Sequence, residues 1–182
     1  MIEKAIIKTH RLLLRPPEQS DSFAIQKAAS IREIADTMIS LPHPYPLGEA
    51  ERYIVRQMTE REAGHSVTFI IEQKTEGFCG LIELREIDHV HSQGELSCWL
   101  KMEAWGRGYM SEAVRAMVGY GFDNIGLNRL YAYHMLRNPA TGRVLEKNGF
   151  KQEGLLRQRV RKWGIFEDVA LWAILRNEWR KP

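Results

Sequence analysis

Apolar positions divide the chain into short segments whose period changes along the sequence. Residues 9–15 (THRLLLR) read as a strand, closed by Pro16-Pro17, which continues neither a ladder nor a helix interior. Ser20 or Asp21 is placed to cap a following helix with Phe23, Ala24, Lys27 and Ala28 at helical spacing. Residues 41–48 carry prolines at alternate positions and form an extended loop, either a plain connector or the wall of a site. Residues 49–63 read as a charged helix with Ala50, Tyr53, Ile54 and Met58 on one stripe. An antiparallel hairpin is predicted from 66–73 and 78–84, joined by a turn near Thr75; 85–93 reads as a second turn and 94–100 as a returning strand. Met110, Ala113, Val114, Met117, Val118 and Phe122 then mark a helix with one buried stripe. Residues 129–135 are a strand, 139–147 a short helix ended by Asn148-Gly149, and KQEGLLRQRV and DVALWAIL two closing strands. This mixed order predicts an α+β or α/β layered fold around one sheet.

Composition narrows the classes. The 182 residues, 44% hydrophobic and 27% charged, suit one domain over 1–182 and exclude a disordered or fibrous chain. A net charge of +3 (26 Lys and Arg against 23 Asp and Glu) is too small for a chain built to coat nucleic acid, which points to a small partner. There is no apolar run of about 18 residues, and the charge-interrupted N-terminus lacks a leader pattern, so a cytoplasmic location is expected. Cys79 and Cys98 lie in apolar segments without metal-ligand spacing and read as buried free thiols.

The most informative stretch is WLKMEAWGRGYMSEAV, where a strand passes through Gly106-Arg107-Gly108 into an amphipathic helix. Glycines there can turn successive N–H groups toward one point, and the helix start adds its own unpaired donors, so a phosphate fits; a tight turn without ligand is the alternative. Neither a P-loop nor G-x-G-x-x-G is present. On the strand KQEGLLRQRVRK, Arg157, Arg159 and Arg161 fall at period two beside Lys162 and Trp163, either as a solvated face or as a dock for an acidic peptide, nucleotide or RNA. His43 and His134 are isolated and read as structural or exposed.

WLKMEAWGRGYMSEAV followed by NPATGRVLEKNGF resembles the acetyl-CoA-binding core of the GNAT N-acetyltransferases, in the branch with ribosomal-protein N-terminal acetyltransferases. THRLLLRPPEQSDSFAI and DVALWAILRNEW extend the likeness over residues 8–180. The family pattern Q/R-x-x-G-x-G/A falls on 105–110; Gly108 matches, while Trp105 and Met110 depart from it. The resemblance implies a GNAT-type fold of about seven strands, mostly antiparallel, with two strands splayed and helices on both faces. It implies that Trp99, Leu100, Lys101 and Met102 edge the pantetheine arm, that Arg107, Gly108, Tyr109, Met110 and Ser111 hold the pyrophosphate, and that Asn138 contacts the cofactor arm. Arg143 and Lys147 are then placed either for the nucleotide's 3′-phosphate or on a solvated helix face, and Thr141 is the hydroxyl near the leaving sulfur. Glu95, within ELSCWL, matches a family carboxylate and is the first candidate base, sharing a strand face with Ser97 and Trp99; Glu83 is the reserve. The implied reaction moves acetyl from acetyl-CoA to a primary amine by direct attack, without metal. The acceptor is the N-terminal α-amine of a ribosomal protein, or else an amino acid, polyamine or antibiotic; an acetyl-CoA- or RNA-binding module is the non-enzyme alternative. No membrane or nucleic-acid partner is expected, and the chain is a monomer or homodimer. A groove open at both ends between the 41–48 loop and the last hairpin favours a peptide; a closed pocket with one carboxylate favours a small amine.

Overall fold

The computed structural model describes residues 5–180. Strands β1 (Ile7–Lys8), β2 (Leu12–Arg15), β3 (Val67–Gln73), β4 (Gly77–Asp88), β5 (Gln93–Leu100), β6 (Arg129–Met135), β7 (Lys151–Lys162) and β8 (Ile165–Leu175) form one sheet in the order β1-β2-β3-β4-β5-β6-β8-β7. Every pairing is antiparallel except β5 with β6. Helices α1 (Ser22–Ala29), α2 (Arg32–Thr37) and α3 (Glu49–Ala63) cover one face; α4 (Tyr109–Tyr120) and α5 (Pro139–Lys147) cover the other.

Strand alternation explains the two cores. Ile82, Leu84, Leu96 and Leu100 pack with Ala113, Val114, Met117 and Val118 of α4, as that helix's periodicity requires. Ile70, Leu81 and Trp99 face Ile25 and Ala29 of α1 and Ala50 and Ile54 of α3. The residues between them on β4 and β5, Glu83, Arg85, Glu95 and Ser97, therefore belong to the α1–α3 side.

Several sequence expectations shift. Eight strands replace about seven, because Thr9 is a turn residue: its hydroxyl oxygen accepts the Leu12 N–H at 2.9 Å, and the turn joins β1 to β2. A 3-10 turn at Gln19–Asp21 precedes α1, which buries Ile25, Ala28 and Ala29 and leaves Phe23 78% exposed, so its apolar stripe is rotated from the expected one. Met58 is exposed on α3, where the buried face continues to Arg61. The expected turn at 85–93 is mostly strand, since a register shift at Arg85/Asp88, with Glu86 at φ 51°, lets β4 bend and continue. Arg157 and Arg159 do not share a regular strand face with Arg161: the register shifts between Leu156 and Val160, Gln158 takes φ 50°, and its N–H donates to Asp168 at 2.7 Å. Cys79 is buried, but Cys98 is only half-buried, because it opens onto the cleft.

Candidate active site

The cleft exists because β5 and β6 separate. Gln93, Gly94 and Glu95 pair with Arg129, Leu130 and Tyr131, and the two strands part beyond them. The Lys101 N–H donates to the Cys79 carbonyl at 2.8 Å, so by antiparallel alternation Ser97 and Trp99 bond toward β4. The backbone groups of Leu96, Cys98 and Leu100 consequently point into the cleft. Gly80 lets β4 approach closely here: a Cβ at this position would lie 2.1 Å from the Trp99 carbonyl oxygen.

One cavity of about 400 Å³ opens on the α4–α5 side. Its walls contain Trp99, Leu100, Gly108, Tyr109, Met110, Ser111, Asn138, Thr141, Arg143 and Lys147. Gly108, at φ 78°, is the residue before α4, and the first-turn N–H groups of that helix lie beside the cavity. Trp105, the departure from the family motif, donates its indole N–H to the Leu100 carbonyl at 2.9 Å and fixes the turn to the end of β5. Asn138 donates its side-chain amide to the Thr141 hydroxyl oxygen at 3.0 Å and to the Thr37 carbonyl at 3.3 Å. That bond occupies a lone pair of Thr141 and leaves its O–H free to donate.

Lys101, Met102 and Arg107 are outside these walls. The Lys101 N–H is already bonded to β4, and the Arg107 guanidinium makes a two-point pair with Glu76 at 2.7 and 2.6 Å. Arg143 and Lys147 make no ion pair with the described residues, which leaves their charges available to an anion.

A larger cavity, about 860 Å³, lies across the sheet between α1, α3, the 38–42 segment, β4 and β5, and shares Cys98 and Trp99 with the first. Four carboxylates line it, Glu49, Glu60, Glu83 and Glu86, against the guanidiniums of Arg56 and Arg85. Glu49 is bonded to Arg52 and Arg56, each at 3.0 Å. Arg85 bonds Glu95 at 2.5 Å and stands 3.7 Å from Glu83. Glu83, facing Ser97 across the ladder, accepts the Tyr53 hydroxyl at 2.8 Å. Burial pushes its carboxyl above the ordinary carboxylate range, against the lowering effects of Tyr53 and Arg85. Burial also raises the Cys98 thiol to about 12, which keeps it protonated.

Glu95 lines a third space, about 40 Å³, with Arg85, His134 and Thr141. His134 is buried, with its Nδ1 2.9 Å from the Met135 carbonyl. The face shared by Glu95, Ser97 and Trp99 thus meets the cleft, with Glu95 held in an ion pair and Glu83 facing the larger space. The contact of Tyr53 with Glu83 is hidden in the sequence, because Tyr53 sits on a helix stripe that reads as core.

At one end of the larger cavity, Lys162 donates to the Leu41 carbonyl at 2.8 Å, bridging the hairpin tip to the 41–48 loop. His43 packs edge-on to Trp163 with ring centres 6.0 Å apart. Among the described residues no group of three His, Cys, Asp or Glu side chains is arranged to hold a metal, and no helix is long and apolar enough to cross a membrane.

Residues 11–151 match the family described as Acetyltransferase (GNAT) domain. The putative ribosomal N-acetyltransferase YdaF of Bacillus subtilis (strain 168) is 31% identical over 101 residues, 56% of this chain and 55% of that protein. The spermidine N(1)-acetyltransferase of Vibrio cholerae serotype O1 is 27% identical over 111 residues, 61% of this chain and 64% of that one. The chain therefore spans between half and two thirds of the length of these relatives. A crystal structure of spermidine N-acetyltransferase from Vibrio cholerae, in complex with CoA and spermine, shares the fold with a TM-score of 0.84 at 24% identity, covering 93% of this chain and 98% of that one. Matched over most of its length, with a splayed sheet and a glycine turn at a helix start, the chain belongs to the GNAT family of acetyl-CoA-dependent N-acetyltransferases.

Proposed function

We propose that this enzyme acetylates a slender primary amine bearing a second positive charge, a diamine or polyamine in chemical class, with Glu83 as the proton acceptor. The observation that carries this reading is the carboxylate excess of the larger cavity, joined at Cys98 and Trp99 to the space lined by Gly108 and Thr141. Glu49 is neutralised by its arginines and Arg85 is engaged by Glu95, so Glu60, Glu83 and Glu86 favour a cation. The hairpin tip bridged to Leu41 narrows the groove that an extended peptide would need. The partial likeness to a spermidine N(1)-acetyltransferase supports the same class; the likeness to YdaF supports a protein N-terminus as the second reading.

In this reading acetyl-CoA supplies the activated acetyl group as a thioester. Gly108 and the first turn of α4, with Arg143 and Lys147, hold the phosphates; the Arg107 guanidinium, engaged by Glu76, contributes less than the backbone of its turn. The N–H groups of Cys98 and Leu100 face the carbonyl oxygen. Glu83, with its carboxyl raised by burial, accepts a proton from the incoming ammonium so that a neutral amine attacks; the proton its nitrogen then sheds leaves with the CoA thiolate as thiol, and the free O–H of Thr141 donates a hydrogen bond to the departing sulfur. Glu95 orders Arg85. Thiol release from acetyl-CoA with linear diamines, monoamines of equal length and peptides beginning in Ser or Ala tests the acceptor class. The proposal expects kcat/KM for the diamine to exceed the monoamine's by about tenfold or more; preference for the peptides would overturn it.

A further inference from the structure

We infer that Asp36 is a positioning residue whose clasp seats the 37–42 strap across both substrate cavities. Beyond Thr37, the last residue of α2, the segment has no regular structure, yet together they wall the three spaces described above: Thr37 borders the α4–α5 cavity, Leu41 and Pro42 the larger one, and Met38 and Ser40 both the larger one and the small one holding Glu95. Met38 and Leu41 pack on the α1–α3 core, the Met38 N–H donates to the Ala35 carbonyl at 3.3 Å, and the polar anchors from outside α2 come from the β6–α5 elbow and the β7–β8 tip. Asp36 joins them. Its Oδ1 accepts the Trp163 indole N–H at 2.5 Å, its Oδ2 accepts Arg137 Nη1 at 2.7 Å, and its carbonyl accepts Arg137 Nη2 at 2.9 Å. Arg137 is fixed in turn by Glu167 at 2.6 Å, and Trp163 is stacked by Arg32, 5.1 Å from its ring centre.

The next bond carries the consequence. Asn138 Nδ2 donates both to Thr37 on the strap and to the Thr141 hydroxyl. One amide thus ties the strap to the cofactor-side hydroxyl, while Lys162 ties Leu41 to the hairpin tip on the acceptor side. Removing the Asp36 side chain takes away its two short, charge-assisted bonds and leaves the strap on the Arg137 bond to the Asp36 carbonyl, the Asn138 and Lys162 bonds, and the packing of Met38 and Leu41. The strap then opens toward solvent and the acceptor cavity loses its lower wall before the glycine turn is disturbed. This effect on substrates rests on the functional reading above; the seating of the strap does not.

The Asp36 side chain is 42% exposed and its partners Arg137 and Trp163 lie at the surface, so Asp36→Ala is expected to leave the fold intact. Two measurements follow. Amide hydrogen exchange over residues 37–42 should accelerate by about tenfold or more in Asp36→Ala, and by a smaller factor in Trp163→Phe, which keeps an aromatic ring but removes the indole N–H and leaves the Arg137 bond. The acceptor KM should rise by about tenfold while the acetyl-CoA dissociation constant changes less than about threefold, a split that general destabilisation does not produce. The two substitutions combined should do no more than Asp36→Ala alone. Exchange unchanged in Asp36→Ala would overturn the clasp itself. Accelerated exchange with an unchanged acceptor KM would overturn its role in binding. A wild-type enzyme that acetylates no amine would count against the functional reading while the exchange result still judges the clasp.

Discussion

Arg85 lies between two carboxylates and treats them differently. Its short bond goes to Glu95, whose side chain is 8% exposed, and it leaves Glu83 at 3.7 Å. Removing the Glu95 charge frees the guanidinium to turn to Glu83 and lower that carboxyl. Glu95→Gln should therefore move the acidic limb of the rate profile to lower pH, keep most turnover, and cost about 1–2 kcal/mol of stability, the usual loss for a buried pair reduced by Arg85's partial exposure. Abolished turnover in a folded Glu95→Gln enzyme would return the base role to Glu95. Glu83 also sets a stability trend. Its folded-state pKa is raised, so the folded protein holds this proton more tightly than the unfolded chain; the contribution is full below the ordinary carboxylate range and is lost as pH rises through the raised value. Denaturant titrations of Glu83→Gln should show that fall in stability flattened. An unchanged pH dependence would contradict the burial argument.

At the scale of elements, glycines shape the cofactor side. Gly108 at φ 78° starts α4, where a β-branched side chain is strained, and its Cβ would meet the Arg11 guanidinium at 3.4 Å. Gly108→Val should weaken acetyl-CoA binding by about tenfold or more in calorimetry, the loss of a preformed anion site; retained affinity would put the phosphates elsewhere. Gly80→Ala drives a methyl into the Trp99 carbonyl, a contact with backbone that cannot yield. A loss of about 1–3 kcal/mol is expected, with weaker acetyl-CoA binding as the open edge of β5 shifts. The glycine turn and α4 were readable in sequence because backbone conformation and apolar spacing are local. The length of β4 was not: residues 85–93 are polar and resemble a turn, and only pairing across a register shift keeps 85–88 in strand. The proposed preference for Glu83 over Glu95 was not legible for the same reason, since it depends on which residues the register places opposite Ser97 and Arg85.

Across the whole molecule, the net charge of +3 conceals a division. Carboxylates gather in the larger cavity, unpaired Arg143 and Lys147 flank the smaller one, and the sheet meets both at Cys98 and Trp99. On the proposed reading two oppositely charged substrates approach opposite faces of one sheet, and kcat/KM for a diamine should fall more steeply with added salt than that for a monoamine. Equal salt slopes would remove the cavity's field from acceptor choice. The central claim is that the acceptor's proton leaves through Glu83 at this junction. Single-turnover acetyl transfer measured against pH in the wild type and Glu83→Gln tests it most directly. The account predicts a rate rising through the raised carboxyl pKa in the wild type, and in the variant a rate about 100-fold lower without that limb, at unchanged acetyl-CoA affinity. A Glu83→Gln enzyme with the wild-type rate and profile would contradict it.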